Sequence, residues 1–265
     1  MDMLERFSKD GVTLVGNRVG RVRFGFTERT GGISLPPYAS LNLGSHVGDD
    51  PDAVAENRRR ALATLDCADA FDRLLVPNQV HGVHIARVRT SSPDELACVR
   101  DEIARGADAI VCTAPGVPVL LCFADCVPVI LTCETGFAVV HSGWKGTIAR
   151  IVVSAVRALA EESGCESSEI RAFVGPHILG DEYEVSPELM ERFAGEFTCM
   201  REAAGAGSRL LDLGACIREA MDEAGVPSEH VEDSLLSTMK LADRFYSYRR
   251  EAGTCGRHGA LAILA

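Results

Sequence analysis

Residues 107–146 read ADAIVCTAPGVPVLLCFADCVPVILTCETGFAVVHSGWKG. Four short apolar runs, residues 109–112, 117–123, 127–132 and 137–141, are separated by proline, glycine and acidic turn residues. Short β-rich runs bounded by such breakers read as strands. Several are apolar throughout rather than alternating, so both faces of the sheets they build should be covered. A helix over residues 147–162 can supply that cover. It sets Ile148, Ile151, Val152, Ala155 and Leu159 on one face, and Gly164 is placed to end it.

Outward from this centre, residues 21–26 alternate charged and apolar side chains as a half-buried strand does. Further strands are expected at residues 74–76, 83–88, 171–174 and 260–264. Asp49-Asp50-Pro51 opens a helix with Val54, Leu62 and Leu65 along one stripe. Ser186-Pro187 caps another that runs to Phe197, and residues 210–223 form one more, ended by Gly225 and Pro227. No repeat, low-complexity tract or linker interrupts the chain, and the loosest stretch, residues 203–208, is too short to divide it. The expectation is an α/β (α+β) fold, with residues 1–265 as a single domain of mixed β-sheets flanked by helices.

Of the 265 residues, 46% are hydrophobic, enough for a large core. The formal net charge of −11 repels a phosphate backbone, so nucleic acid is not expected as a partner. A small anionic substrate is still permitted wherever arginines or lysines cluster locally. The longest apolar stretch, residues 107–133, carries Asp108 and Asp125 and three prolines, so no membrane span is expected. The N-terminus, MDMLERFSKDG, lacks the apolar core of a signal peptide. Ten cysteines occur with no C-x-x-C pair, which suits a cytoplasmic protein with reduced thiols. Cys112, Cys122 and Cys133 lie within apolar runs and read as core.

Three segments place reactive side chains beside turn residues. They are Asn78-Gln79-Val80-His81-Gly82, Ala124-Asp125-Cys126-Val127-Pro128 and His141-Ser142-Gly143-Trp144-Lys145-Gly146. Imidazole nitrogen and thiolate sulfur are the ligands zinc prefers, and three protein ligands leave one tetrahedral position for chemistry. His81, Cys126 and His141 are therefore candidate metal ligands. They stand 45 and 15 residues apart and match no compact zinc signature. From spacing alone, a metal centre and a Cys–His nucleophile pair both stand open.

These segments occur in order with others: Phe26 to Ser34 as Phe-Thr-x-Arg-x-Gly-Gly-x-Ser, Leu41-Asn42-Leu43-Gly44, Asn57-Arg58, Tyr183-Glu184-Val185, Asp212-Leu213 and Phe245-Tyr246-Ser247-Tyr248-Arg249-Arg250. Together they resemble the laccase-domain family of the YfiH type, formerly called multicopper polyphenol oxidases and now understood as zinc-dependent purine nucleoside enzymes. The resemblance covers nearly the whole chain. It implies a layered α/β/β/α fold with zinc on His81, Cys126 and His141. It implies phosphorolysis of adenosine, inosine, guanosine and methylthioadenosine, and deamination of adenosine. The partners are then a purine nucleoside and phosphate. Arg29, Lys145, Arg249 and Arg257 become candidate phosphate cations, because each lies in or beside a matched segment. Gln79 and Asp125 flank ligands and are placed to orient them or to bind the base, and Trp144 is placed to stack on a purine or anchor the core. Two rivals stand beside this: a copper-dependent polyphenol oxidase, which needs far more histidines, and a metal-free Cys126–His141 amide hydrolase. The chain departs from the family pattern at His177, which reads as structural, at Ser237-Thr238, at Cys255-Gly256 and at Lys145, where arginine is common. These departures leave the preferred nucleoside open, and the sequence is silent on oligomeric state.

Overall fold

A computed structural model of the chain describes residues 3–265, so the first two residues of the N-terminal stretch lie outside the described residues. Its layering is visible in one strand. In β6 (Val119–Phe123) successive side chains point to opposite faces. Val119, Leu121 and Phe123 enter one apolar cluster, and Leu120 and Cys122 enter another. β6 is the edge of a sheet ordered β1 (Glu5–Lys9), β2 (Val12–Val19), β3 (Val22–Thr27), β11 (His258–Leu264), β6, and neighbours pair antiparallel. A parallel bridge from Leu75 to Val119 extends that edge. The second sheet runs β10 (Val231–Asp233), β9 (Arg171–Val174), β7 (Val127–Cys133), β8 (Gly136–Ser142), β5 (Ala109–Cys112), β4 (Ile85–Val88). Its two outer pairs are parallel and those between are antiparallel.

Helix α1 (Pro51–Thr64) sets Ala61 and Leu62 against Leu14, Leu120 and Ile263 on the outer face of the first sheet. Phe24, Phe26 and Leu121 meet Ile110, Ile130 and Val139 between the sheets, with Leu96, Val99 and Ile103 of α2 (Pro93–Ala104) in the same cluster. α4 (Ile151–Ser163), α5 (Pro187–Glu196) and α7 (Leu213–Glu223) pack on Val129, Leu131 and Val140 of the second sheet's outer face. The order is α/β/β/α, as expected, and it explains the unbroken apolar runs: each central strand is covered on both faces. Two short helices, α3 (Trp144–Ile148) and α6 (Arg201–Gly205), complete the set. Among the described residues no helix is long and apolar enough to cross a membrane, and all ten cysteines are free.

The differences from expectation have local causes. Residues 74–76 form no strand beyond the single bridge at Leu75. The helix expected over 147–162 is two helices, split where Arg150 turns left-handed at φ 59°. Arg150 there reaches the Glu223 carboxylate at 2.8 Å and lies 3.8 Å over the Phe197 ring, so tertiary contacts override helix propensity. The β1–β2 hairpin turns on Asp10-Gly11, both at positive φ, a two-residue turn chemistry that the sequence carries but the apolar pattern of β1 does not signal. α2 starts on a Ser92 cap that accepts the Glu95 N–H, with Pro93 in the first turn, and is likewise unexpected.

Candidate metal centre

The antiparallel pairing of β7 with β8 sets Pro128 opposite His141 and so brings Cys126, just before β7, beside that histidine. His81 arrives on the 78–82 turn, which is tied to the rest of the chain by Asn78 N–H to Ile103 C=O and Ala107 N–H to Asn78 C=O. The three donor atoms lie within 4.8 Å of one another, and among the described residues they are the group of His, Cys, Asp or Glu side chains close enough to hold an ion. Cys126 Sγ is 3.8 Å from His81 Nε2, and the two imidazoles meet edge to face at 4.8 Å between centroids.

Asp108 organises this cluster. It is fully buried, and its Oδ1 is 2.8 Å from His141 Nδ1. The same carboxylate accepts the N–H groups of Val80, His81 and Gly82 at 3.2, 3.0 and 2.6 Å, and its carbonyl accepts the His141 N–H. One buried anion therefore anchors the turn that carries His81 and fixes the ring of His141, leaving Nε2 of His141 free to coordinate. Burial alone would raise the Asp108 pKa, but His141 and these N–H donors hold it below its ordinary value. In the sequence this role shows only as a lone carboxylate in an apolar run, a signal that argues against a membrane span and names no partner.

Burial would push the Cys126 thiol up, but His141 and His81 outweigh it and bring it down to about 6. Burial would likewise lower His141, but Cys126 and Asp108 outweigh it and raise it to about 9. Each member of the pair thus favours the other's charged form, which predisposes the sulfur to the thiolate that a metal binds. Gly143 makes room for the donors: a Cβ there would stand 3.0 Å from His81 Cδ2 and 3.1 Å from Cys126 Sγ. His81 and Asp125 both adopt positive φ, at 57° and 90°, which costs on the order of 1–3 kcal/mol each in non-glycine residues. Asp125 is held there by Thr238 Oγ1 donating at 2.7 Å and Arg249 N–H donating at 2.7 Å. One sulfur and two imidazole nitrogens, with a carboxylate behind one of them, fit zinc or a single copper. They do not fit a multinuclear copper cluster. Of the other histidines, His84 pairs with Glu102 and His177 is buried on its own Gly175 carbonyl, the structural place expected of it.

A cavity of about 530 Å³ opens over the donors. It is large enough for a nucleoside. Its wall includes Phe123, Trp144, Tyr183 and Tyr248. Gln79, Asp125 and Arg249 also line it. Gln79 spends both ends of its amide on the Cys122 backbone, at 2.8 and 2.7 Å. Arg29 and Lys145 are not brought to it. Arg29 donates to the carbonyls of Ala39 and Ala242 and pairs with Glu251 at 3.0 Å, so its charge braces the 245–251 segment. Lys145 is exposed on α3, with Nζ 5.6 Å from the Trp144 ring. His46 and Arg257 also line the cavity, and His46 stands in no segment that the sequence singles out.

The family model described as multi-copper polyphenol oxidoreductase laccase matches residues 23–265. The chain is 37% identical to a purine nucleoside phosphorylase of Streptomyces coelicolor, over 91% of this chain and 96% of that protein. It is 39% identical to a purine nucleoside phosphorylase of Deinococcus radiodurans, over 89% and 87%. Among solved structures, the hypothetical protein YfiH of Bacillus licheniformis superposes with a TM-score of 0.86 at 28% identity, covering 97% of this chain and 98% of that one. YlmD of Geobacillus stearothermophilus gives 0.84 at 28% identity, covering 100% and 99%.

Proposed function

The chain belongs to the family described as multi-copper polyphenol oxidoreductase laccase, and on that premise we propose that it is a zinc-dependent purine nucleoside phosphorylase. Its substrates in this reading are adenosine, inosine, guanosine and methylthioadenosine, and it also deaminates adenosine to inosine. The carrying observation is the donor set of His81, Cys126 and His141 set into an aromatic-walled cavity of nucleoside size. The relatives from Streptomyces coelicolor and Deinococcus radiodurans, both named purine nucleoside phosphorylases, support the same reading. Residues 1–265 act as one catalytic domain, in the cytoplasm, where ten unbridged thiols stay reduced.

In phosphorolysis an oxygen of hydrogen phosphate bonds to C1′ of the sugar while the C1′–N9 bond breaks. The electron pair leaves with the purine, which takes up the proton the phosphate carried. A zinc ion held by His81, Cys126 and His141 would act as a Lewis acid toward an oxygen or nitrogen of the substrate. The chain's own residues do the rest. Phe123, Trp144 and Tyr183 give the cavity aromatic surface for the purine. Asp108 keeps His141 in one tautomer and holds the His81 turn in register. Arg249 and Arg257 supply positive charge inside a protein whose net charge is −11. In deamination, water adds at C6 of adenosine and ammonia leaves.

The test is to incubate inosine and adenosine with the purified protein, with and without phosphate, and to identify products. Base release that requires phosphate and yields a sugar 1-phosphate is expected. A second reading, a metal-free Cys126–His141 hydrolase, is favoured by the lowered thiol and raised imidazole of that pair. Amide hydrolysis that persists in metal-free protein would select it, whereas base release without phosphate would show a nucleoside hydrolase instead of a phosphorylase.

A further inference from the structure

Two arginines line the cavity, and their surroundings differ. The side chain of the first, Arg249, is exposed, its guanidinium lies 5.1 Å over the Tyr183 ring, and it donates to the Glu184 carbonyl at 3.2 Å. The buried Asp125 carboxylate accepts the backbone N–H of Arg249, so negative charge sits close by. Around the other, Arg257, a further arginine, Arg58, and His46 gather at the 43–46 turn. Arg257 is half-buried and its backbone is fixed on both sides: its N–H donates to Asn42 Oδ1 at 2.8 Å, and its carbonyl accepts the Leu43 N–H at 2.9 Å. Its Nη1 is engaged by the Cys255 and Gly256 carbonyls and by Cys255 Sγ, its guanidinium lies 5.7 Å over the Tyr248 ring, and among the described residues Nε and Nη2 have no hydrogen-bond acceptor. Gly44 lets this side chain pass, since a Cβ there would stand 2.8 Å from Arg257 Cγ and 3.4 Å from His46 Cε1. Arg58, held by the Leu43 carbonyl, stands behind them. Partial loss of water around its ring, and then the charges of Arg257 and Arg58, lower the pKa of His46, so it stands beside them as a neutral donor.

A free Nε/Nη2 edge is the fork that grips two oxygens of a phosphate or carboxylate. We propose that Arg257, with His46 beside it and Arg58 behind, is the oxyanion subsite of the cavity, and that it takes inorganic phosphate as the co-substrate. Arg249 then serves the nucleoside, through the Tyr183 end. This assignment rests on the phosphorylase reading and adds to it the location of phosphate and a residue, His46, that no sequence segment marks.

The experiment measures the KM for phosphate and the KM for inosine separately in the wild type and in Arg257→Ala, Arg257→Lys, His46→Asn and Arg249→Ala, with thermal melts to show that each folds. Loss of a charged bidentate contact should raise the phosphate KM of Arg257→Ala by about 10–100-fold and leave the inosine KM within about 3-fold. Arg257→Lys should recover only part of the loss, because an ammonium lacks the fork. His46→Asn should raise the phosphate KM by a smaller factor, and Arg249→Ala should act on the inosine KM instead. Gly44→Ala keeps every charge but crowds Arg257, and should also raise the phosphate KM. If the wild type needs phosphate while Arg257→Ala and Gly44→Ala keep its phosphate KM, the subsite is wrong and the phosphorylase reading stands. If the wild type releases base without phosphate, the phosphorylase reading fails first. Preferred cleavage of a nucleoside 5′-monophosphate, lost in Arg257→Ala, would assign the subsite to a substrate's own phosphate ester and overturn the co-substrate role.

Discussion

The donor end and the oxyanion end of the cavity are built in opposite ways. At the donor end the supporting polar groups are spent: Asp108 accepts three backbone N–H groups and contacts a histidine ring, and Asp125 is held from two sides. At the other end Arg257 keeps part of its guanidinium unengaged and His46 is exposed. A site that must hold three donors at fixed distances needs its backbone tied down. A site that binds a diffusible anion needs donors left unspent. Substitutions at the two ends should therefore fail differently, by loss of metal and stability at one and by loss of substrate affinity at the other.

The sharpest way to break this contrast is Asp108. Asp108→Ala leaves buried N–H groups and the His141 ring without their acceptor and should cost about 3–5 kcal/mol of stability in a denaturant titration. Asp108→Asn keeps the shape but loses the charge, and should weaken metal binding by about 10–100-fold in a competition assay with a chelating dye. Unchanged metal affinity in both would mean that Asp108 does not position the donors. Gly143→Ala is milder. Its Cβ would stand 3.0–3.1 Å from two donor side chains, and crowding of that kind costs about 1–3 kcal/mol, so metal affinity should fall by about tenfold or more while the fold persists.

His258 follows Arg257 in the chain and lies behind the Phe123 wall: it is fully buried, stacked 6.5 Å from Phe123 and edge-on to Phe245 at 5.5 Å, and among the described residues its polar partner is at most the Pro176 backbone. Burial and the neighbouring Arg257 depress its pKa to about 3, from an unfolded value of 6.5. Below 6.5 the unfolded chain therefore binds a proton that the native chain refuses. Stability should be fully present above pH 6.5 and should fall progressively as pH drops from 6.5 toward 3. His258→Phe should flatten that slope in pH-resolved melts, and an unchanged slope would remove His258 as its source. The smallest effect on substrate is expected at Arg29. Arg29→Ala should lower the melting temperature through its lost carbonyl and Glu251 contacts, yet change both KM values by less than about 2-fold.

Much of this arrangement was legible in the sequence. The apolar runs after Cys126 and before His141 are the strands whose pairing brings those residues together, whereas spacing along the chain leaves the donors open until the resemblance singles them out. Asp108 was not legible as a positioning group, since its partners lie on the 80–82 turn and on β8, and only the fold sets them around it. Arg29 and Lys145 were drawn toward phosphate by their segments, but burial against Glu251 and exposure on α3 settle where their charges go. His46 carried no periodic or motif signal at all. Its place follows from the long-range stitching of Leu43 to Arg257.

The most direct test of the central claim is the metal content of protein purified without added metal, measured by elemental analysis alongside phosphate-dependent base release, for the wild type and Cys126→Ala. The expected result is about one zinc per chain in the wild type and neither zinc nor turnover in Cys126→Ala. Phosphate-dependent turnover that survives in Cys126→Ala, or in wild-type protein shown to hold no metal, would contradict the assignment of His81, Cys126 and His141 as the catalytic metal centre.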